Sequence, residues 1–252
     1  MTDAEAISTD GFLGGRLRIA QPVAGYRAGA DAVMLAAACP AKPGDRVLEL
    51  GCGAGVAILC LGFRVPGLVL TGLERQPLYA GLARLNAQEN GIEAEIVEGD
   101  LARMPAALRG QSFDHVIANP PFFSAGTIAP DAGRGAARHE ETPLADWIGA
   151  GLRRLRPGGS LALIHRAERI PEILAALGTR AGAITILPVS ARSGREAGRV
   201  IVLARKGGRA PTRLLFPFIM HAKPSHSVDA EDLTEAARAV LSGGGPLTLW
   251  KP

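Results

Sequence analysis

The chain has 252 residues and a formal net charge of +4, and with 47% hydrophobic and 21% charged residues it can bury a sizeable core as one large domain or two small ones. Only 4% of the residues are aromatic, whereas 32 are glycine and 18 proline, which favours an α/β protein with many tight turns over an all-β sandwich. No apolar run approaches the roughly 20 residues that cross a bilayer, and three cysteines without metal-ligand spacing argue against a disulfide framework or a metal site, so we expect a cytoplasmic protein.

Residues 1–45 precede the first predicted core strand and form an N-terminal extension. A hairpin is expected around Gly14–Gly15, because adjacent glycines adopt the backbone angles of tight turns. A helix is expected from Asp31 to Cys39, with Asp31 as its N-cap.

Residues 46–206 form the predicted core, in which short apolar strands alternate with longer amphipathic helices. Strands are expected at Arg46–Leu50, Gly67–Glu74, Ala94–Glu98, Phe113–Ala118, Ser160–His165, Ala183–Pro188 and Val200–Lys206. Helices are expected at Val56–Arg64, Gln76–Asn90, Leu101–Leu108, Pro143–Leu155 and Arg169–Leu177. This alternation predicts a Rossmann-like, doubly wound, mostly parallel sheet of seven strands with helices on both faces. Ligands of such sheets bind outside the carboxyl ends of the strands, where the strand order reverses.

Residues 207–252 form a C-terminal addition that we expect to pack on the core. It contains an apolar run, Leu214–Met220, and a helix near Ala230–Leu241. Neither end of the chain suggests an independent domain.

A glycine turn joins the first core strand to its helix, with glycine at positions Gly51, Gly53 and Gly55. The glycines let the backbone turn sharply and approach a ligand closely. The pattern alone is weak, because dinucleotide-binding folds use a similar turn. However, Glu49 lies at the strand end just before the turn, where its carboxylate would repel a pyrophosphate and attract an ammonium group. The turn therefore favours a ligand with a positive end and no phosphate there.

Two further acids follow the next two strands. Glu74 ends the second strand about 20 residues after the turn, the position from which an acid hydrogen-bonds a ribose diol. Asp100, followed by Leu101, ends the third strand and is placed to accept a hydrogen bond from an adenine amino group. An amino acid, a ribose and an adenine in this order describe S-adenosylmethionine, which is the cofactor we predict.

The fourth core strand runs into the sequence Asn119-Pro120-Pro121-Phe122-Phe123. The two prolines fix φ and remove two backbone donors, so this segment presents carbonyls that can only accept. Asn119 Oδ1 and the Pro120 carbonyl would accept both hydrogens of a planar amino group and aim its lone pair at a methyl donor. Phe122 would stack on the planar group, and Phe123 is a further predicted substrate contact. Asn119 to Phe122, which we call the acceptor clamp, are the predicted catalytic residues.

The segment after the clamp, residues 124–142, is rich in glycine and alanine and carries Arg138 and His139. It is predicted to be a loop that orders over the acceptor base, with Arg138 on a phosphate and His139 contacting the substrate. A plain loop is the alternative. His165 lies within a predicted strand and is expected to be structural.

A basic segment lies near the end of the predicted core. Residues 180–213 contain eight basic residues and one acid, Glu196, so this segment carries a charge of +7 and the rest of the chain −3. Such a concentration of charge is typical of binding to a phosphate backbone, and Arg205, Lys206 and Arg209 are the predicted RNA contacts. A solvated arginine-rich loop is the alternative.

Taken together, the glycine turn and the clamp resemble those of class I S-adenosylmethionine-dependent methyltransferases of the NPPY/NPPF type. Within that group the chain is similar to bacterial tRNA adenine-N6-methyltransferases that act on the valine-tRNA anticodon loop. The finer similarity covers Gln21–Arg27 with Asp31 following, Asn119–Phe123 and Ala137–Glu140. The aromatic residue after the two prolines is Phe122, where many members have tyrosine, and both residues can stack.

The resemblance implies cofactor contacts from several of the residues described above: Gly51, Gly53, Gly55, Glu74, Asp100 and Asn119. We also expect Tyr26 and Arg27, just before the N-terminal helix, to lie over the cofactor. The implied partner is an RNA, most simply a tRNA, and we expect a monomer or a weak homodimer with no metal and no membrane contact.

Three other functions fit some of the same residues. A protein methyltransferase acting on a glutamine amide would use the same clamp but leaves the basic segment unexplained. A ribosomal RNA methyltransferase would place guanine N2 in the clamp. A binding module that retains the cofactor without turnover is the third, and the intact Asn119 argues against it. Methylation of adenine N6 is the favoured interpretation.

Overall fold

The computed structural model describes residues 6–122, 142–223 and 232–249. The N-terminal extension contains β1 (Ile7–Phe12), β2 (Leu17–Pro22) and α1 (Ala30–Ala38). β1 and β2 pair antiparallel, which confirms the predicted hairpin. The predicted N-cap of α1 is wrong: Gly29 is the N-cap, and Asp31 lies within the first turn. The Asp31 carboxylate forms an ion pair with Arg199 and does not cap the helix.

The remaining elements, in chain order, are β3 (Arg46–Leu50), α2 (Val56–Arg64), β4 (Val69–Glu74), α3 (Pro77–Glu89), β5 (Ala94–Glu98), α4 (Ala106–Arg109), β6 (Phe113–Ala118), α5 (Leu144–Arg154), β7 (Leu155–Arg166), α6 (Ile170–Leu177), β8 (Ala181–Arg192), β9 (Ala197–Lys206), β10 (Arg213–Leu214), β11 (Phe218–His221) and α7 (Glu235–Leu241). The single helix predicted over Leu101–Leu108 is wrong. A 3-10 turn at Leu101–Arg103 is separated from α4, because Met104 precedes Pro105 and a residue before proline is disfavoured in the helical conformation. The C-terminal helix begins at Glu235, with Thr234 as its N-cap.

One sheet organises the fold, with the strand order β10-β8-β9-β7-β6-β3-β4-β5 and β11 paired with β8. Its strands are parallel except β9, which runs antiparallel to both β7 and β8. The Rossmann-like α/β class is confirmed, and two short strands from the C-terminal addition extend the predicted seven at the β8 edge. The chain travels from β3 through β4 to β5 on one side and then returns to β6 on the other. The strand order therefore reverses between β3 and β6, where such sheets bind ligands.

Both faces of the sheet are covered. Along β3, Val47 points into a core formed with α1, α2 and α3, whereas Leu48 points into a second core formed with α5 and α6. Leu17 from the hairpin and Val240 from α7 are also buried in the first core. The boundaries at residues 46 and 206 stay a prediction, and the described parts of both ends pack on this core. Within the described ranges, no helix has the length and apolar character needed to cross a bilayer.

Candidate active site

A cavity of about 510 Å³ lies at the carboxyl ends of β3, β4, β5 and β6. This volume falls within the range of small-molecule sites, about 300–1,000 Å³. The predicted site residues that line the cavity are Tyr26, Arg27, Gly51, Gly53, Glu74, Asp100, Leu101, Asn119, Pro120, Pro121 and Phe122. The structure thus brings most of the predicted cofactor contacts and the acceptor clamp to one cavity.

The glycine turn between β3 and α2 requires glycine for two reasons. Gly51 and Gly53 have φ angles of +63° and +54°, in the left-handed region that disfavours other residues. At Gly51, a Cβ would also lie 2.4 Å from Cη2 of Trp147 in α5, so a larger residue would collide with the ring. Gly55, also predicted as a cofactor contact, does not line the cavity. It is the N-cap of α2 and packs against Ala83 of α3.

Two acids on neighbouring strands face the cavity. Glu74, at the end of β4, accepts the Gly53 N–H through Oε2 at 2.9 Å and the Gln76 N–H through Oε1 at 2.8 Å. Asp100, after β5, accepts the Ala102 N–H through Oδ1 at 2.9 Å. These backbone donors fix both carboxylates, and each carboxylate keeps further lone pairs that can accept a hydrogen bond from a ligand.

Glu49 does not reach the cavity, contrary to the sequence-based expectation. Its side chain is 3% exposed and accepts the Ile58 N–H of α2 at 2.9 Å. Burial raises the pKa of Glu49 well above its usual value; the hydrogen bond from Ile58 opposes this shift, and the nearby Glu74 adds to it. Glu49 therefore joins the end of β3 to the first turn of α2, beside the glycine turn, and is not placed to contact an ammonium group.

The loop before α1 contributes Tyr26 and Arg27 to the cavity wall. The guanidinium of Arg27 is held by the N-terminal hairpin, because it donates to the Pro22 carbonyl at 2.7 Å and to Ser8 Oγ at 2.8 Å, and pairs with Asp10. Arg27 thus anchors the loop, and its charged group is already engaged.

Asn119 follows β6 and is oriented by Tyr26. Its Nδ2 donates to the Tyr26 hydroxyl oxygen at 3.2 Å, and the Tyr26 carbonyl accepts from the Tyr79 hydroxyl at 2.8 Å. Burial and the charge of Glu49 raise the pKa of Tyr26 to about 12, so the hydroxyl stays protonated. The Oδ1 of Asn119 is buried and has no hydrogen-bond partner among the described residues. The amide therefore presents an unused acceptor.

His165, at the end of β7, contacts the clamp although sequence analysis assigned it only a structural role. Its Nδ1 accepts the Arg166 N–H at 2.9 Å, and the ring hydrogen-bonds the Pro121 carbonyl. The ring also meets Phe122 edge-on, with centroids 5.2 Å apart at 80°. Burial, with the positive charge of Arg169, lowers the pKa of His165 to about 4, so the ring is neutral near pH 7. Its Nε2–H is then the donor to Pro121.

A family model described as the methyltransferase small domain matches residues 29–179, more than half of the chain. The chain belongs to this methyltransferase family. Two proteins named tRNA1(Val) (adenine(37)-N6)-methyltransferase are similar to it. The one from Porphyromonas gingivalis is 36% identical over 66% of this chain and 68% of its own length. The one from Aeromonas salmonicida is 30% identical over 72% of this chain and 77% of its own length.

The methyltransferase is also similar to solved structures. A crystal structure described as a predicted O-methyltransferase from Agrobacterium tumefaciens has a TM-score of 0.69 and 30% identity, covering 86% of this chain and 98% of its own. A Thermus thermophilus 16S rRNA N2 G1207 methyltransferase, solved with AdoMet and guanosine, has a TM-score of 0.54 at 20% identity and shows the fold alone.

The methyltransferase cavity also contains residues that sequence analysis did not single out. Trp147 lies against Gly51, and Tyr79 supports the loop that carries Tyr26. Neither residue belongs to a local motif. Trp147 is one of only two tryptophans in the chain, and its place on the helix following the clamp was the available signal.

The basic segment does not gather at the clamp of the methyltransferase. It forms the β8–β9 hairpin. Arg199 lies opposite Arg166, near the cavity, whereas Arg205 lies opposite Ser160, toward the other end of β9. These two positions are six residue steps apart along β7, about 20 Å at strand spacing. Lys206 donates to the Leu155 carbonyl at 2.6 Å, and Arg209 follows on the same far side. Three further predicted substrate contacts, Phe123, Arg138 and His139, lie outside the described residues.

Proposed function

We propose that this methyltransferase transfers a methyl group from S-adenosylmethionine to the N6 amino group of an adenine in tRNA. The observation that carries the proposal is the Oδ1 of Asn119, which has no hydrogen-bond partner among the described residues; Asn119 lines the cavity directly before two prolines and Phe122. An exocyclic amino group has two hydrogens to donate and a flat ring to stack. The names of the tRNA1(Val) (adenine(37)-N6)-methyltransferase relatives support the same acceptor.

The cavity residues fit S-adenosylmethionine. Four strand ends from β6 to β5 span about 14 Å at the usual spacing between strands, which suits an elongated ligand. Gly51 and Gly53 would allow close backbone contact with its amino-acid end. Glu74 would accept from the ribose hydroxyls and Asp100 from the adenine amino group. When bound, this cofactor supplies a methyl group attached to a positively charged sulfonium sulfur, which leaves as a neutral thioether when the methyl group is transferred.

The clamp would make the acceptor nitrogen reactive. The lone pair of an adenine amino group is delocalised into the ring and is a poor nucleophile. Accepting its two hydrogens at Asn119 Oδ1 and at the Pro120 carbonyl favours a more pyramidal nitrogen, whose lone pair can point at the methyl group. Tyr26 would keep the amide in the orientation that presents Oδ1. After transfer, the nitrogen loses its extra proton to water, so the main contributions of the protein are alignment and the exclusion of water.

A tRNA substrate would also need contacts beyond the target base. We propose Arg205, Lys206 and Arg209, near the far end of β9, as phosphate contacts, with Phe123, Arg138 and His139 as further substrate contacts. The position of Arg205 and Lys206 at the end of β9 away from Arg199 requires a substrate that extends over the protein surface, as a folded RNA does.

The proposal is tested by incubating the protein with tritiated S-adenosylmethionine and, separately, with unfractionated bacterial tRNA, ribosomal RNA and total cell protein. We expect label in tRNA, recovered as N6-methyladenosine after nuclease digestion. An Asn119→Ala variant is the control and is expected to incorporate label about 100- to 1,000-fold more slowly. Label recovered as N2-methylguanosine, or only in protein, would overturn the proposed acceptor.

A further inference from the structure

A charged side chain covers one face of the Phe122 ring. The guanidinium of Arg199 lies over the ring, with its central carbon 4.4 Å from the ring centroid. Phe122 lines the cavity, whereas Arg199 does not. Arg199 therefore contacts a cavity-lining ring from outside the cavity lining.

Arg199 is itself held in place from another element. Its Nε donates to Asp31 Oδ2 at 2.9 Å, and its Nη1 donates to the Gly198 carbonyl at 3.2 Å. Asp31 belongs to the first turn of α1, close to the loop that carries Tyr26. The Asp31–Arg199 pair therefore joins the N-terminal wall of the cavity to the β8–β9 hairpin beside the clamp.

We propose that Arg199, held by Asp31, is a positioning residue that fixes Phe122 for stacking against the target base. This inference rests on the proposed function. A cation over an aromatic face is attracted by the ring electrons, and it opposes rotation of the ring away from that position. His165 packs against the same ring in a T-shaped arrangement, and its bond to Pro121 holds the adjoining backbone. Arg199 and His165 thus both hold a ring that lines the cavity, where a base would stack.

An arginine near an RNA-binding site could also act only through its charge. Arg195 provides the control, because it is an exposed arginine in the turn of the same β8–β9 hairpin. Arg195→Leu removes the same charge from the same hairpin without touching the contact to Phe122. A difference in tRNA KM or in base stacking between Arg199→Leu and Arg195→Leu therefore reports the loss of the contact with the Phe122 ring and not the loss of charge.

The experiment measures methylation of unfractionated bacterial tRNA by both variants, together with cofactor affinity by calorimetry. It also measures the fluorescence of a valine-tRNA anticodon stem-loop with 2-aminopurine at the target adenine, which is quenched when that base stacks. For Arg199→Leu we expect KM for tRNA to rise about three- to thirtyfold relative to Arg195→Leu, weaker quenching, and little change in cofactor Kd. Arg199→Lys should recover part of the loss. Asp31→Asn should have a smaller effect that disappears in the Arg199→Leu background, because Asp31 acts through Arg199.

Equal KM and equal quenching for Arg199→Leu and Arg195→Leu would overturn the positioning role. So would an equal loss of cofactor and tRNA affinity, which indicates general damage to the fold. If the wild-type protein labels no tRNA, both the proposed function and this inference are overturned. If the wild type labels tRNA but Arg199→Leu and Arg195→Leu behave alike, only the role of Arg199 is overturned.

Discussion

Asn119 donates through Nδ2 to the hydroxyl oxygen of Tyr26 at 3.2 Å, although the two residues are 93 positions apart in the chain. In this arrangement the Tyr26 hydroxyl engages the NH2 end of the amide, so Oδ1 stays available as an acceptor. The N-terminal loop and the end of β6 therefore act as one unit. An amide without this partner could rotate and present NH2, a donor, to the amino group of the substrate.

Replacing Tyr26 by phenylalanine should lower kcat about three- to tenfold, because a neutral hydrogen bond contributes about 0.5–1.5 kcal/mol. The ring and its packing are retained, so cofactor Kd should change little. Single-turnover methylation and calorimetric titration with the cofactor measure the two effects separately. An unchanged single-turnover rate would show that Tyr26 does not orient the amide.

Asn119→Ala should lower kcat about 100- to 1,000-fold, the size of effect seen when one preorganised hydrogen-bonding group is removed from an active site. Much of the cofactor affinity should remain, because Glu74, Asp100 and the glycine turn are unaltered. The rate is measured on tRNA at saturating cofactor, and cofactor binding by calorimetry. Equal losses in turnover and cofactor affinity would refute the assigned role.

Gly51→Ala should destabilise the protein and weaken cofactor binding. The new Cβ lies 2.4 Å from the Trp147 ring and the residue keeps a φ of +63°, a conformation that costs about 1–3 kcal/mol for a residue other than glycine. Gly81→Ala is the control, because no atom lies within 4 Å of its added Cβ and alanine favours helix α3. Thermal unfolding checks both. Adding Trp147→Leu to Gly51→Ala should recover the part due to the collision but not the part due to φ, and full recovery would contradict the backbone argument.

The carboxyl ends of the core strands are predictable from sequence, because each depends on a local pattern. Glu74 ends β4 and Asp100 lies two residues after β5, and parallel strands bring their carboxyl ends to one side of the sheet. Glu49 failed for a reason the pattern does not contain: side chains alternate between the faces of a strand, and Glu49 points to the face where α2 offers the Ile58 N–H. The prediction placed Glu49 correctly at the end of the strand but gave the wrong direction for its side chain.

The basic segment shows a second limit of sequence analysis. Residues six positions apart separate by about 20 Å when the chain is an extended strand, and β9 places Arg199 and Arg205 near its opposite ends. Trp147 shows a third limit, because its contact with Gly51 depends on how α5 packs on the sheet. Such packing follows from the whole fold and has no local signature.

Glu49→Gln should stabilise the protein at alkaline pH and have less effect in mild acid. Burial raises the folded-state pKa of Glu49 above its value of about 4.3 in the unfolded chain. The stability linked to this group is therefore fully present below the unfolded pKa and is lost as pH rises through the folded pKa. Glutamine can still accept from Ile58 and carries no charge to bury.

The measurement is Tm for wild type and Glu49→Gln at pH 5 and pH 8.5. Each kcal/mol relieved should raise Tm by about 2–4 °C in a protein of this size. Glu98→Gln, at an exposed position at the end of β5, is the matched control. If Glu49→Gln changes Tm by the same amount at pH 5 and at pH 8.5, the proposed cost of the buried Glu49 charge is contradicted.

Replacing Arg205, Lys206 and Arg209 by glutamine should weaken tRNA binding and flatten its dependence on salt. Each phosphate contact that is lost lowers the slope of log K against log salt by about 0.9 on duplex and about 0.7 on single strands. Because Arg205 and Lys206 lie at the end of β9 away from Arg199 and the clamp, single-turnover methylation at saturating tRNA should be unchanged. Filter binding from 50 to 300 mM salt measures the slope. An unchanged slope would remove these residues from the RNA interface, and a slower single-turnover rate would show that their effect reaches the chemical step.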